Sequence, residues 1–155
     1  LELNQITVDN RLLADLYQQV LVTDQQGYRW LGGRGKPILV VVRQTAAPFL
    51  TDEDLPFLTR LLNACKLTLE EVAVFNTATY PDTRPDEVLS FFLPRIVLCF
   101  GVTPNDWGLP VDFPRYQLQA LKECTFMHAP ALAQLAGDTE ERKQCWGSLK
   151  RLFNL

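Results

Sequence analysis

The sequence holds a single histidine, His128, and a single methionine, and its four cysteines never fall in a C-x-x-C pair. Each scarcity excludes something. Without paired cysteines or a second histidine, zinc-ribbon, redox and mixed Cys/His metal sites are ruled out on spacing, and no metal or cofactor is expected. Cys65, Cys99, Cys124 and Cys145 lie among apolar neighbours, where a free cysteine behaves as a small hydrophobe. A reducing, cytoplasmic setting is the expectation that follows. There is no excess of positive charge: the formal net charge is -3 and the pI about 5.1. No global basic field therefore draws the chain to nucleic acid or anionic lipid. Nor is any apolar run long enough to span a bilayer; Ile38 to Val42 is typical of them.

What is present is an ordinary globular composition, 47% hydrophobic and 21% charged, over 155 residues. That length suits one domain burying roughly 70% of its unfolded surface. From Asp9 to Val22, Leu12, Leu13, Leu16, Tyr17, Val20 and Leu21 fall on one helical stripe, with Asp9 or Asn10 as cap. A glycine-rich turn, LGGRGKP, precedes the apolar run ILVVV. The run does not alternate, as expected of a strand buried on both faces of a parallel sheet. LGGRGKP is no phosphate loop, because its glycines precede a strand and Pro37 stands where a Ser or Thr would hold magnesium. A flexible surface turn is expected there.

Thr51 to Asp54 form an acidic helix start, with Pro56 setting the regular helix nearer Asp54. Further buried strands are predicted at Val72 to Phe75, Ile96 to Gly101 and around Thr125 to Met127. Helices are predicted from Pro85 to Phe92 and from Thr139 onward, the latter burying Trp146, Leu149, Leu152 and Phe153. Apolar strands alternating with amphipathic helices imply a three-layer α/β/α fold around a mainly parallel sheet of about four strands. Its core should include Val40, Leu62, Val74, Phe75, Leu98 and Trp146. In such a sheet the ligand crevice lies beyond the carboxyl ends of the strands. Those ends are Arg43 to Phe49, Asn76 to Pro81, Gly101 to Asn105 and His128 to Ala131.

Taken together, the four strand ends carry a resemblance. ILVVVRQ runs into Thr45-Ala46-Ala47-Pro48-Phe49, AVFN ends on Asn76 with Pro81 beyond it, PRIVLCFG ends in glycine, and HAPALAQL precedes the tryptophan helix CWGSLKRLF. In order and spacing these segments resemble the uracil-DNA glycosylase superfamily over about Pro37 to Phe153, leaving the first 36 residues outside. The resemblance implies a remnant base pocket at Asn76 and Phe49, since an asparagine at that strand end can offer donor and acceptor to a base edge; it can equally satisfy local backbone groups.

The same comparison implies lost catalysis. Alignment on Pro48 places Ala46 at the family's water-activating acid, with Thr45 and Phe49 where glycines let the backbone approach the base. Alignment on Pro130 places Ala129 at the family's histidine, so His128 stands one residue early and should point away from the pocket. The iron–sulfur cysteine pattern of one branch is missing. PILVVVRQTAAPFLTDEDLPFLTRLLNACKLTLEEVAVF and APALAQL are also similar to the psi subunits of bacterial DNA polymerase III, degenerate members of that fold that perform no chemistry. That likeness implies a protein–protein adaptor in a replication or repair assembly, with nucleic acid bound weakly or indirectly and no membrane contact. Partner contact would use apolar surface, with Tyr17 or Trp107 as aromatic anchor, the alternative for each being a plain core residue. The alternative is a divergent glycosylase or nucleobase-binding enzyme that keeps Asn76 alone.

Overall fold

A computed structural model describes residues 22–25 and 27–155. The stripe from Asp9 to Leu21, Tyr17 included, lies outside the described residues; Val22 opens a strand. Strands β1 (Val22–Gln25) and β2 (Tyr28–Leu31) make a hairpin. Strand β3 (Ile38–Val42) leads to helix α1 (Asp54–Ala64) and strand β4 (Ala73–Asn76). Helix α2 (Pro85–Phe92) precedes β5 (Ile96–Phe100), and a one-turn helix α3 (Pro104–Trp107) follows it. Strands β6 (Gln119–Leu121) and β7 (Cys124–Ala129) come next, then helices α4 (Leu132–Ala136) and α5 (Thr139–Phe153).

The architecture is mixed α/β. Seven strands form one sheet in the order β1-β2-β4-β3-β5-β7-β6. The expected four strands are its parallel centre, β4-β3-β5-β7; β1, β2 and β6 add antiparallel partners at the edges. Those three were invisible in the sequence because VTDQ, YRWL and QAL carry no buried-strand run. Their stability comes from pairing with a formed sheet rather than from their own pattern.

Alternation along the central strands sends side chains to two apolar clusters. Val40, Val42, Val74, Leu98, Phe100 and Met127 join Leu55, Leu58 and Leu62 of α1 and Leu149 of α5 on the first face. Leu39, Val41, Phe75, Val97, Cys99 and Phe126 join Val88 and Phe92 of α2 on the second. This is why ILVVV reads as unbroken apolar: both faces are covered. Trp107 is 9% exposed within the second cluster, so it is a core residue and not a surface anchor. Trp146 is the opposite correction: only partly buried, it leans on the first cluster from outside.

The glycine-rich turn is anchored, not flexible. Gly33, Arg34, Gly35 and Lys36 each donate a backbone N–H to a carbonyl within 69–72, at 2.9–3.1 Å. A Cβ on Gly32 (φ +111) would sit 2.3 Å from the Val72 carbonyl oxygen, and one on Gly33 2.3 Å from that of Glu70. The glycines are there to let two backbones touch. Between them Arg34 lays its guanidinium over Trp30, Phe91 and Phe92 and donates to the Phe91 and Phe92 carbonyls, capping α2 with a cation.

Candidate functional site

The four parallel strands deliver their carboxyl ends to one rim of the sheet, where the chemistry of such folds is placed. Asn76 closes β4 and is 1% exposed. Its Nδ2 donates to the carbonyls of Gln44 (2.8 Å) and Pro48 (2.9 Å), with Ala47 at 3.4 Å. Its Oδ1 accepts from the backbone N–H of Gln44 (2.9 Å) and of Ala78 (3.1 Å). A primary amide has two donors and two acceptor lone pairs, so this one is spent. The orientation is fixed by the network: a flipped amide would set its oxygen against carbonyls. Asn76 staples the loop after β3 to the end of β4.

The rest of the rim is closed in the same manner. Thr77 Oγ1 donates to the Val42 carbonyl at 3.2 Å, and Gln44 Oε1 accepts from Ala46 N at 2.9 Å. Phe49, read from the sequence as part of a remnant pocket, is 4% exposed and packed in the first-face core. Its bulk is paid into stability instead of facing a ligand. Gly101, at φ +77, donates to the Ala129 carbonyl, and a Cβ there would stand 3.1 Å from Ala131 Cβ. Ala46 is exposed and carries no acid–base group, while Ala129 is buried in the first-face core.

His128 and Asn76 lie on opposite faces of the sheet. Asn76 pairs with Val42 of the first cluster, and His128 pairs with Cys99 of the second. The His128 ring stacks edge-on against Phe113, and its Nε2 lies 2.7 Å from the Phe113 carbonyl oxygen. A carbonyl can only accept, so Nε2 carries the hydrogen and is committed to that bond. His128 thus holds the loop before β6 down on the sheet.

Other groups with chemical potential are engaged internally. Burial pushes the thiol of Cys65 up to about 11 and those of Cys99 and Cys145 to about 12. Such thiols stay protonated and unreactive at neutral pH. Cys124 Sγ donates to the Pro94 carbonyl. Among the described residues, no group of three or more His, Cys, Asp or Glu could hold a metal ion, and no helix is long and apolar enough to cross a membrane.

One constellation was not anticipated. Tyr116 Oη donates to Glu141 Oε2 at 2.5 Å, and Arg115 reaches Glu141 Oε1 at 2.9 Å. Ser148 Oγ donates to the Tyr116 carbonyl, and Tyr116 N donates to that of His128. Burial, and then Glu141, hold the Tyr116 phenol well above its usual range. These bonds clamp the loop before β6 to α5 and β7. Nothing in the sequence marks a pair 25 residues apart, so only the fold reveals it.

A different kind of surface lies on the helices of the first face. Between α1 and α5 a groove of about 250 Å³ is lined by Phe57, Leu61, Leu135 and Trp146 and edged by Arg60 and Arg142. Among the described residues, no carboxylate lines it. The chain matches no known family model, and no curated protein matches it.

Proposed function

We propose that this chain is a catalytically inactive α/β domain of the uracil-DNA glycosylase-like type, serving as a psi-like protein–protein adaptor in a DNA replication or repair assembly. The observation that carries the reading is Asn76: both amide donors and the amide oxygen are bonded within the chain, leaving nothing to read a base edge. Base excision also needs a water positioned at the sugar and a donor for the leaving anion. Losing a positioned acid–base group costs roughly 10²–10⁴ in rate, and losing one donor to a developing anion roughly 10²–10³. Ala46 and Ala129 supply neither, and His128 is committed to Phe113 on the other face. With a formal net charge of -3, direct DNA contact is weak and lost as salt rises.

The test pairs two measurements. A single-turnover assay on uracil-containing single strands, protein in excess, gives product at the uncatalysed background for both the wild type and His128→Ala. Capture of the full chain from native cells recovers clamp-loader or single-strand-binding components. Excision above background that vanishes in His128→Ala overturns the inactive reading; recovery of neither component class overturns the adaptor.

A further inference from the structure

The helices on the first face of the sheet carry charge of the opposite sign to the chain as a whole. Helix α1 with the turn after it, and α5, hold Arg60, Lys66, Arg142, Lys143, Lys150 and Arg151 against Asp54, Glu140 and Glu141, in a chain whose net charge is -3. Two of those three carboxylates are withdrawn from the surface. Asp54 is buried, and Glu141 is buried and bonded to Tyr116 and Arg115. Among these side chains Glu140 is the one exposed anion, against five exposed cations. This layer is therefore a basic surface on an acidic chain.

The groove between α1 and α5 lies within that layer. Its lining of Phe57, Leu61, Leu135 and Trp146 is apolar, with Arg60 and Arg142 at its edges. A dry site of about 150 Å³ admits a benzene ring, so about 250 Å³ has room for roughly two large side chains. One turn of a helix presents such a pair at i and i+3 or i+4. Phe57, Arg60, Leu61 and Ala64 follow the same spacing along α1, a ridge against which another helix can seat. Arg142 is held in place by the Leu135 and Ala136 carbonyls and Thr139 Oγ1. The complement is apolar in the middle and acidic beside it. A second copy of this chain does not supply that, because in a two-fold contact the patch meets itself and like charges oppose.

We propose that the groove between α1 and α5 docks an amphipathic helix of an acidic partner protein, with two apolar side chains one turn apart in the groove and carboxylates beside them toward Arg60 and Arg142. This rests on the adaptor reading and gives its partner a chemistry. The basic layer steers the encounter and sets the register, and the apolar pair holds the helix in place.

Defined peptides test it without a native partner. A labelled helical peptide of about 18 residues, roughly 27 Å long, carries leucines on one stripe and glutamates beside them. Titrated with the full chain and read by fluorescence anisotropy, it binds saturably at one site. Moving the leucines off the stripe at constant composition weakens binding about tenfold or more, since buried apolar anchors dominate such contacts. Ala64→Glu, at an exposed lining position, weakens the glutamate peptide several-fold while the urea midpoint stays near that of the wild type. A peptide with lysines in place of the glutamates binds the wild type poorly, and Arg60→Glu shifts the preference toward it. That gain is one a misfolded groove cannot produce.

No binding of the glutamate peptide overturns the proposal, as does equal binding of the displaced-leucine peptide or an unchanged preference in Arg60→Glu. Tighter binding of a single-stranded oligonucleotide, or of phosphatidylcholine–phosphatidylserine vesicles, that is lost in Ala64→Glu assigns the groove to that ligand and overturns the protein partner. A dimer mass that the peptide dissociates assigns it to a second copy, with the same consequence. The two readings fail separately: capture that recovers no clamp-loader or single-strand-binding component overturns the adaptor, whereas the peptides alone decide the groove.

Discussion

The rim at the carboxyl ends of the parallel strands and the groove between α1 and α5 end the same chain in opposite ways. At the rim, directional bonds are consumed internally: Asn76, Thr77, Gln44 and the Gly101 N–H all find partners within the fold. At the groove, side chains such as Phe57 and Trp146 pack, among the described residues, on the core from one side only. A sealed polar rim is costly to disturb, because each buried group left unpaired costs about 1–3 kcal/mol. An apolar groove is cheap to alter and takes whatever covers it with little geometric demand. At the rim where this topology ordinarily puts chemistry, the polar groups are engaged in internal bonds, whereas the apolar groove lies on the helices.

The largest expected effect breaks the rim. Asn76→Ala removes the staple and leaves the Gln44 N–H and the Gln44 and Pro48 carbonyls without their partner. We expect a loss of about 3–4 kcal/mol in urea denaturation, the sum of a few partly buried groups. A loss below about 1 kcal/mol would mean that the amide is dispensable to the loop and free for another role.

Next in size is an alkaline limit set by the thiols. Folded Cys99 and Cys145 titrate at about 12 and Cys65 at about 11, against 9.0 for an exposed thiol. The folded state therefore holds its protons more tightly. Their contribution is complete below about pH 9, where both states are protonated, and is lost as pH rises from there through the folded values. Each of Cys99 and Cys145 should contribute a slope of up to about 1.4 kcal/mol per pH unit above pH 9. Cys145→Ala, beneath the groove, should flatten the pH dependence of the urea midpoint; an unchanged slope would contradict its ionisation in the unfolded chain.

Much of the fold was legible in the sequence, but this contrast was not, and the failures are instructive. The central strands and α1, α2 and α5 were readable because apolar runs, Pro85 and the acidic starts act locally. The edge strands were not, since their partners supply the stabilisation. LGGRGKP was read as mobile because glycine marks both flexible turns and close backbone contacts, and only the neighbour at 69–72 tells them apart. Trp107 and Trp146 exchanged places between surface and core for a similar reason: aromatic residues serve both, and helical periodicity does not fix which neighbour arrives. At the rim, one-residue arithmetic puts His128 and Asn76 on opposite faces, whereas the saturation of the Asn76 amide depends on where the 44–48 loop lies.

A smaller effect sharpens the rim further. Gly101 adopts a left-handed backbone (φ +77) with its would-be Cβ 3.1 Å from Ala131 Cβ. Gly101→Ala should cost about 1–2 kcal/mol from the left-handed strain. Thermal denaturation that shows no loss would mean that β5 and the loop after β7 have slack between them, and that the rim can open.

The smallest expected effect belongs to the groove, and it compares its two arginines. Arg142 donates to the last carbonyls of α4, so its guanidinium does structural work at a helix C-terminus. Such a cation is worth typically 0.3–1 kcal/mol at low ionic strength, so Arg142→Ala should cost roughly that, about 1 kcal/mol at most. Arg60 faces solvent from the exposed side of α1 and bonds to nothing described. Arg60→Ala should therefore change the stability of the fold by no more than about 0.5 kcal/mol, the range of an unengaged surface position. The two differ in salt dependence as well. Raising the salt concentration screens whatever Arg60 does across the groove, since exposed charges lose their reach within about 8 Å at physiological ionic strength, whereas the Arg142 hydrogen bonds keep their geometry. Urea midpoints for both variants at low and high salt measure this directly. Equal and salt-insensitive losses would show that Arg60 also serves the fold, and the groove would then have only one arginine available for an acidic occupant.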